Sequence, residues 1–411
     1  MQNGAIRDKC FVNRNMDDDT FVGLKCENGE FSVHFPLGFR ISEDDKGLRR
    51  DIILLLNTIA TTTAKKDSQV YHVTDNYSYT MFPVQAYISI IKDYYDRGYY
   101  QEREIQYISS KRGKINWNRT IKTKKPYVQN DNVFYLDFIV AKEQARDNQL
   151  ISLIHEYCVY DSFQKIGWLF TQYVPPKPKI GFKKKLFKSV LLQKLLETFD
   201  DRNKKLFQDM LAIVDYLGNR DANMDYMYGT NRFEYVWEKL IDNVYGIRGK
   251  EKFFPKTSWL IGGGKYNNAC LEPDSIMIWN GNIYVLDAKY YKYGDTGETS
   301  DLPGSASINK QITYGEYIAE QDRFKKEYGD DYIVYNAFLM PYSGEEKTVE
   351  NIGTAVSDWK HNDKSYEFVH GLLVDVKHLM QVRTSQDEGE IAKLVTAIEE
   401  GEQSGEKYIR W

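Results

Sequence analysis

The chain has 411 residues, 42% of them hydrophobic and 28% charged, with a net charge of −4. That length suits two or three domains, each with its own core, and the composition is that of an ordinary globular chain. The negative balance excludes wholesale electrostatic binding of nucleic acid, so any such contact has to come from a local basic patch.

No run of about 18 apolar residues occurs, so no membrane span is expected. Met1-Gln2-Asn3-Gly4 carries no apolar signal core. Cys10, Cys26, Cys158 and Cys270 lie far apart without a CxxC pair. That spacing argues against a zinc cluster or a disulfide scaffold and fits a reducing cytoplasm.

Residues 1–40 read as short strands and turns, with alternation around Phe31–Phe35. Ser42 to Asp45 can cap a helix carrying Leu48, Ile52, Leu55 and Leu56. Pro83 opens a second helix with an apolar stripe at Tyr87, Ile88, Ile91, Tyr94 and Tyr95, and Gly98 ends it. Tyr107-Ile108, a basic turn and Val133–Phe138 follow. This element order fits a winged-helix-like unit and a plain α+β domain equally well.

The basic turn holds Lys111, Arg112, Lys114, Asn116, Trp117, Arg119 and Lys122. Cations draw phosphates by releasing counterions, and Arg and Asn can read guanine and adenine edges. DNA contact is the expectation here. The bland alternative is a solvated face with Trp117 in the core.

Helices are expected at about 147–168 and 187–217. The Pro-rich basic stretch Pro175-Pro176-Lys177-Pro178-Lys179 between them reads as the domain boundary, giving a DNA-recognition region over 1–174 and linker helices plus a catalytic domain over 175–411. A helix stripe at Phe233, Val236, Trp237, Leu240 and Ile241 carries Glu234 and Glu238 along its edge. Ile261-Gly262-Gly263-Gly264-Lys265 lacks the spacing of a phosphate loop and is expected to be a tight turn. A hairpin, a Gly- and Asp-rich loop over 294–304, a helix near 307–326 and apolar strands at Tyr335–Leu339 and Leu372–Val376 complete the chain.

The hairpin carries the chemistry. Asn280-Gly281 between apolar runs is a strong type I′ turn signal, because both central residues need positive φ. With those two as the loop, Trp279 faces Asn282, Asp274 faces Asp287, and Glu272 faces Lys289. Facing Cβ atoms lie roughly 4.5–5.5 Å apart, and alternation puts Asp287 and Lys289 on one face. Ile276, Ile278, Ile283 and Val285 fill the apolar middle. Like charges set opposite each other destabilise a sheet, and packing gives nothing in return. Mg²⁺ would reward the pair, since it takes carboxylates together with waters and phosphate oxygens.

Pro273-Asp274 followed by Asp287-Ala288-Lys289 resembles the PD-(D/E)XK nuclease motif, with Asp where many members have Glu. The run Asp287–Lys292 is similar to the nuclease subunits of McrBC-like systems. Arg112–Thr120 resembles the LlaJI-type restriction endonuclease family. The resemblance implies an α/β core with a central mixed sheet flanked by helices, within a chain of mixed α+β character. The order helix, strand, strand, helix, strand after residue 233 matches that core.

The resemblance further implies Asp274 and Asp287 as metal ligands, Lys289 as the residue positioning the attacking water, Glu234 as an outer acid, and Gln311 as an amide donor beside the lysine. The implied activity is Mg²⁺-dependent cleavage of double-stranded DNA in a restriction-modification or phage-defence setting, with a cognate methyltransferase and a homodimer on DNA as expected partners. Two alternatives stay open. One is the nuclease subunit of a modification-dependent system driven by a separate McrB-like GTPase. The other is a non-catalytic DNA-binding or assembly protein with a relic nuclease fold. Asp375-Val376-Lys377 repeats the tripeptide on another strand but lacks a preceding acid placed by a tight turn.

Overall fold

The computed structural model describes residues 6–14, 20–27, 30–63, 82–130, 132–145, 149–171, 173–218, 226–268, 270–382 and 386–405. Met1–Gly4 lies outside them. The chain divides into two compact units, one formed by Met1–Tyr79 together with Met224–Trp411, the other by Thr80–Asn223. No helix among the described residues is long and apolar enough to cross a membrane.

The first unit is built on a mixed five-stranded sheet in the order Ser275–Trp279, Asn282–Ala288, Val334–Tyr342, Val369–Asp375, Val349–Ala355. The outer pairings are antiparallel and the two central ones parallel. All nine residues of Val334–Tyr342 are buried, as expected of a parallel strand covered on both faces. The helix Phe233–Tyr245 buries Phe233, Val236, Trp237, Leu240 and Ile241, the stripe that the sequence spacing predicts. Trp237 Nε1 donates to the carbonyl of Leu339 at 3.1 Å, fastening this helix to the central strand. The helix Ser305–Glu320 supplies Tyr314 and Ile318 to a core shared with Ile276, Ile283 and Val285 of the hairpin.

The N-terminal segment belongs to this same unit. Cys10–Val12, Glu30–Phe35 and Val22–Glu27 form a sheet completed by Tyr226–Thr230. Leu37 donates its N–H to the Tyr290 hydroxyl at 2.7 Å, and Asp51 on the helix Asp45–Thr63 pairs with Lys377 at 2.7 Å.

The second unit contains the helices Val84–Arg97, Leu150–Ile166, Lys184–Glu197 and Asp201–Leu217. A three-stranded sheet joins Arg103–Ser109, Ile139–Ala145 and Lys114–Ile115, and a separate small hairpin pairs Tyr127–Gln129 with Asn132–Phe134.

This division departs from the boundary expected at 174/175. Pro175–Lys179 falls inside the second unit, and residues 1–63 are tied by long-range hydrogen bonds to the C-terminal half. The two helices read as a winged-helix-like pair, Asp45–Thr63 and Val84–Arg97, fall in different units. Short-range composition marks a proline-rich connection; it does not reveal that the sheet of Glu30–Phe35 is completed by Tyr226–Thr230 on the far side of the second unit's sequence.

Candidate active site

The hairpin forms in the expected register. Ile276 pairs with Val285, Ile278 with Ile283, and Trp279 with Asn282. Asn280 and Gly281 both have positive φ, 49° and 83°, the requirement of a type I′ turn. Continuing this register one step past Ser275 and Leu286 sets Asp274 opposite Asp287. The pair lies at the C-terminal end of Asn282–Ala288, the end of a strand where ligands gather in open α/β sheets.

Each carboxylate is held differently. Asp274 Oδ2 accepts the N–H of Ala288 at 2.8 Å, and Lys250 donates to the Asp274 carbonyl. Lys250 is itself anchored by Asp242 at 2.7 Å. Asp287 is buried and forms an ion pair with Lys289. The Lys289 ammonium also stands over the Phe338 ring, 5.5 Å from its centroid.

Burial, followed by the charges of Asp287 and Glu238, raises the Asp274 carboxyl from 3.8 to about 7, against the smaller opposing effects of the Ala288 N–H and Lys289.

The structure separates the two helical acids. Glu234 is ion-paired with Arg232 at 2.9 Å. The charge of Glu238 raises Asp274, and its own carboxyl is raised by burial and then by the charges of Asp287 and Glu234. Glu238, one helical turn beyond the residue inferred from resemblance, lies within electrostatic reach of both aspartates. Spacing alone leaves the two equivalent, because both sit on the edge of the same stripe.

Gln311 also departs from expectation. Its side chain is buried, and Nε2 donates to the Val285 carbonyl at 2.8 Å. With a second, longer bond from Nε2 to Asn336 Oδ1 at 3.5 Å, that amide braces the helix against the hairpin and its neighbouring strand. Its exposed neighbour Lys310 lies within electrostatic reach of both aspartates. Burial pulls the Lys310 ammonium down, but Tyr314 and then the charges of Asp287 and Asp274 raise it above its usual value. Tyr314 in turn donates to the Glu272 carbonyl at 3.2 Å.

The repeated tripeptide serves the fold. Asp375 caps the helix Val376–Gln381 by accepting the His378 N–H at 2.5 Å, and it also accepts the Gly344 N–H at 2.8 Å.

Among the described residues no group of three or more His, Cys, Asp or Glu could enclose a metal on its own. The two aspartates fit a hard cation that completes its shell with water and substrate oxygens.

In the second unit the basic segment is exposed. Lys111, Arg112, Lys114, Trp117, Arg119 and Lys122 all present to the surface. The Arg119 guanidinium stacks over Tyr107 at 3.7 Å. Asn116 caps the helix Trp117–Thr123 through its side-chain oxygen, which accepts the Arg119 N–H at 3.0 Å. Trp117 meets Phe138 edge-on at 5.8 Å and stays outside the core.

A mixed sheet whose hairpin end pairs two carboxylates beside a lysine defines a restriction-endonuclease-like α/β protein. The profile of the LlaJI restriction endonuclease family matches residues 21–367, and the chain belongs to that family. No curated protein matches it. Among solved structures it is similar to a chain of a refined half-complex from a tetradecameric assembly of Thermococcus gammatolerans McrB AAA+ hexamers with bound McrC. The identity is 14% and the TM-score 0.40, over 92% of this chain and 82% of that one.

Proposed function

We propose that this chain is a sequence-specific endodeoxyribonuclease that hydrolyses phosphodiester bonds of double-stranded DNA with Mg²⁺, leaving 5′-phosphate and 3′-hydroxyl ends. The observation that carries this reading is the hairpin register that sets Asp274 opposite Asp287 with Lys289 ion-paired to Asp287. Asp274 and Asp287 would hold the ion. Bound there, Mg²⁺ polarises a phosphoryl oxygen and lowers the pKa of a coordinated water. Lys289 positions the attacking water and offsets charge developing on the phosphate. Lys310 adds a second cation on the same side, and Glu238 orders water or an outer ligand.

The exposed cations from Lys111 to Lys122 are the proposed DNA-recognition surface. A cognate methyltransferase and dimerisation on DNA belong to the same reading, since cutting both strands needs two sites or two visits.

A second reading, a nuclease subunit working with a separate McrB-like GTPase, is favoured by one observation. Around the basic segment, Tyr127, Val128, Val133, Phe134 and Leu136 are large, apolar and exposed, and a protein partner would cover such a surface. The relic reading is disfavoured because two opposed carboxylates, one buried and one partly buried, are a cost that packing does not reward and that a bound cation would offset.

The test is cleavage of supercoiled plasmid with Mg²⁺, with EDTA, and with Asp287→Ala. The nuclease reading expects nicking or linearisation by the wild type with Mg²⁺ alone. Equal cleavage by Asp287→Ala sinks the site assignment. Cleavage appearing only when a GTPase partner and GTP are added selects the second reading.

A further inference from the structure

Immediately before Asp274 the chain makes a second antiparallel ribbon, Ser258–Ile261 paired with Gly264–Asn267 around Gly262-Gly263. Its side chains are exposed on both faces, apart from partial cover at Gly264. Trp259 is 63% exposed and Tyr266 60%. An isolated two-stranded hairpin is marginal in water, and large apolar side chains gathered in the open mark a contact surface.

The ribbon's register sorts its side chains. Trp259 lies directly opposite Tyr266, and Leu260 opposite Lys265. Alternation then places Trp259, Tyr266 and Ile261 on one face and Leu260 and Lys265 on the other. Ser258 Oγ donates to Asn267 Oδ1 at 2.9 Å, closing the base of the second face.

The base is firmly set. Asn268 donates to the Thr257 carbonyl and Leu271 to the Pro255 carbonyl, both at 3.0 Å. The next residue, Glu272, is held by Tyr314, and Asp274 follows two residues later. A ribbon of this length reaches roughly 14 Å, comparable to the roughly 12 Å width of the DNA major groove, which admits a two-stranded β-ribbon.

We propose that the Ser258–Asn267 ribbon contacts the substrate duplex beside the scissile phosphate, with Trp259 and Tyr266 lying against bases or sugars and Lys265 on a phosphate. This rests on the nuclease reading and deepens it. Charge decides for DNA over a protein surface. From Lys252 to Leu271 there is no acidic residue in a chain with 59 acids; Lys252 is taken up by Glu327, which leaves Lys256 and Lys265 as the cations of the segment. In a duplex the base faces are already stacked, so the aromatic pair meets sugars and groove edges; contacts to the sugar–phosphate backbone position without reading sequence, so the ribbon supplies affinity and placement, leaving sequence readout to another surface.

The experiment uses the full chain, a fluorescent duplex cut from a plasmid that the wild type cleaves, and metal-free buffer for binding. Trp259→Ala with Tyr266→Ala is expected to weaken duplex binding at least tenfold, with far-UV circular dichroism and melting temperature unchanged. Lys265→Ala is expected to lower the salt dependence of binding by about one phosphate contact. In the wild type, duplex should quench tryptophan emission, and Trp259→Phe should lose that component.

Wild-type affinity and cleavage in the double variant overturn the ribbon's role while leaving the nuclease reading intact. So does a change in sedimentation with DNA affinity unchanged, which makes the ribbon a contact between copies. A wild type that neither binds nor cuts any duplex overturns both.

Discussion

Asp274 accepts the backbone N–H of Ala288 at 2.8 Å, one residue past its facing partner Asp287. That bond extends the hairpin ladder through a side chain and fixes one candidate carboxylate relative to the other. Asp274→Asn keeps an acceptor for Ala288 and removes the charge. The expected outcome is a near-native melting temperature with plasmid cleavage reduced 10²-fold or more, on the order of the losses seen when one charge-stabilising group is removed. Asp274→Ala loses the acceptor as well and should cost a further ~1 kcal/mol of stability. Thermal melts beside cleavage rates separate the two effects, and equal melting of the Asn and Ala variants would show that the bond is not structural.

The raised Asp274 carboxyl has a signed consequence for stability. Its folded value of about 7 lies above the ordinary 3.8, so between those values the native state holds a proton that the unfolded chain has released. Stability from this group is therefore lost as pH rises from about 4 to about 7. Without metal, the melting temperature of the wild type should fall more across this window than that of Asp274→Asn.

Mg²⁺ needs the deprotonated carboxylate, so its binding should release a proton and tighten as pH rises towards 8. Calorimetric titration at pH 6 and pH 8, in buffers of different ionisation enthalpy, measures both. Identical affinity at the two values removes Asp274 from the ligand set.

Lys289 is expected to act on the same equilibrium. Its charge favours the ionised form of Asp274 and pairs with Asp287. Lys289→Ala should cut cleavage by about 10²-fold and move the rising limb of the pH–rate profile to higher pH. Lys289→Arg should restore much of the profile's position but less of the rate, because a planar guanidinium does not replace a compact ammonium at a water-positioning site. A rate loss with no shift of the profile would mean that Lys289 does not set the pair's ionisation.

Glu238 and Glu234 separate cleanly by experiment. Glu238→Gln removes a negative charge that raises Asp274, so it should lower the apparent pKa of the pH–rate profile and weaken metal affinity several-fold. Glu234→Gln should leave both nearly unchanged and lose only its exposed pair with Arg232, a contact of the kind that adds at most about 1 kcal/mol. The reverse ranking would restore Glu234 as the outer acid.

The hairpin of the candidate site was legible because its information is local. Two residues of turn chemistry fix the phase of every pairing outward to Asp274 and Asp287, and the apolar alternation confirms it independently. The same holds for the helix that Gly98 ends, where φ is 73° and its N–H bonds to the Tyr94 carbonyl at 2.8 Å. Where information is not local, the reading failed. Nothing near Val22–Glu27 says that its partner is Tyr226–Thr230, some two hundred residues away. Glu234 and Glu238 differ only in what lies across from them. The strand Val349–Ala355 and the helix Glu388–Gly405 went unassigned, the strand because Glu350, Asn351, Gly353 and Thr354 leave little apolar alternation to read.

Gln311 and Lys310 give the sharpest contrast between bracing a site and acting in it. Gln311 is buried with Nε2 on the Val285 carbonyl, so Gln311→Ala leaves a buried acceptor unsatisfied, a loss of about 1–3 kcal/mol. The melting temperature should fall by several degrees, and cleavage measured well below that temperature should fall only a few-fold. Lys310 is exposed, bonds to Tyr314 and feels both aspartates, so Lys310→Ala should melt close to the wild type.

Losing that cation removes charge that would meet the substrate phosphate. The expected effect of Lys310→Ala is a drop in kcat of ten-fold or more with little change in duplex affinity, because the cost falls where charge develops. Lys310→Arg should recover part of it. If Gln311→Ala proves the slower enzyme and the better-folded protein, the amide reaches the substrate after all, and the bracing bond to Val285 is not its main role.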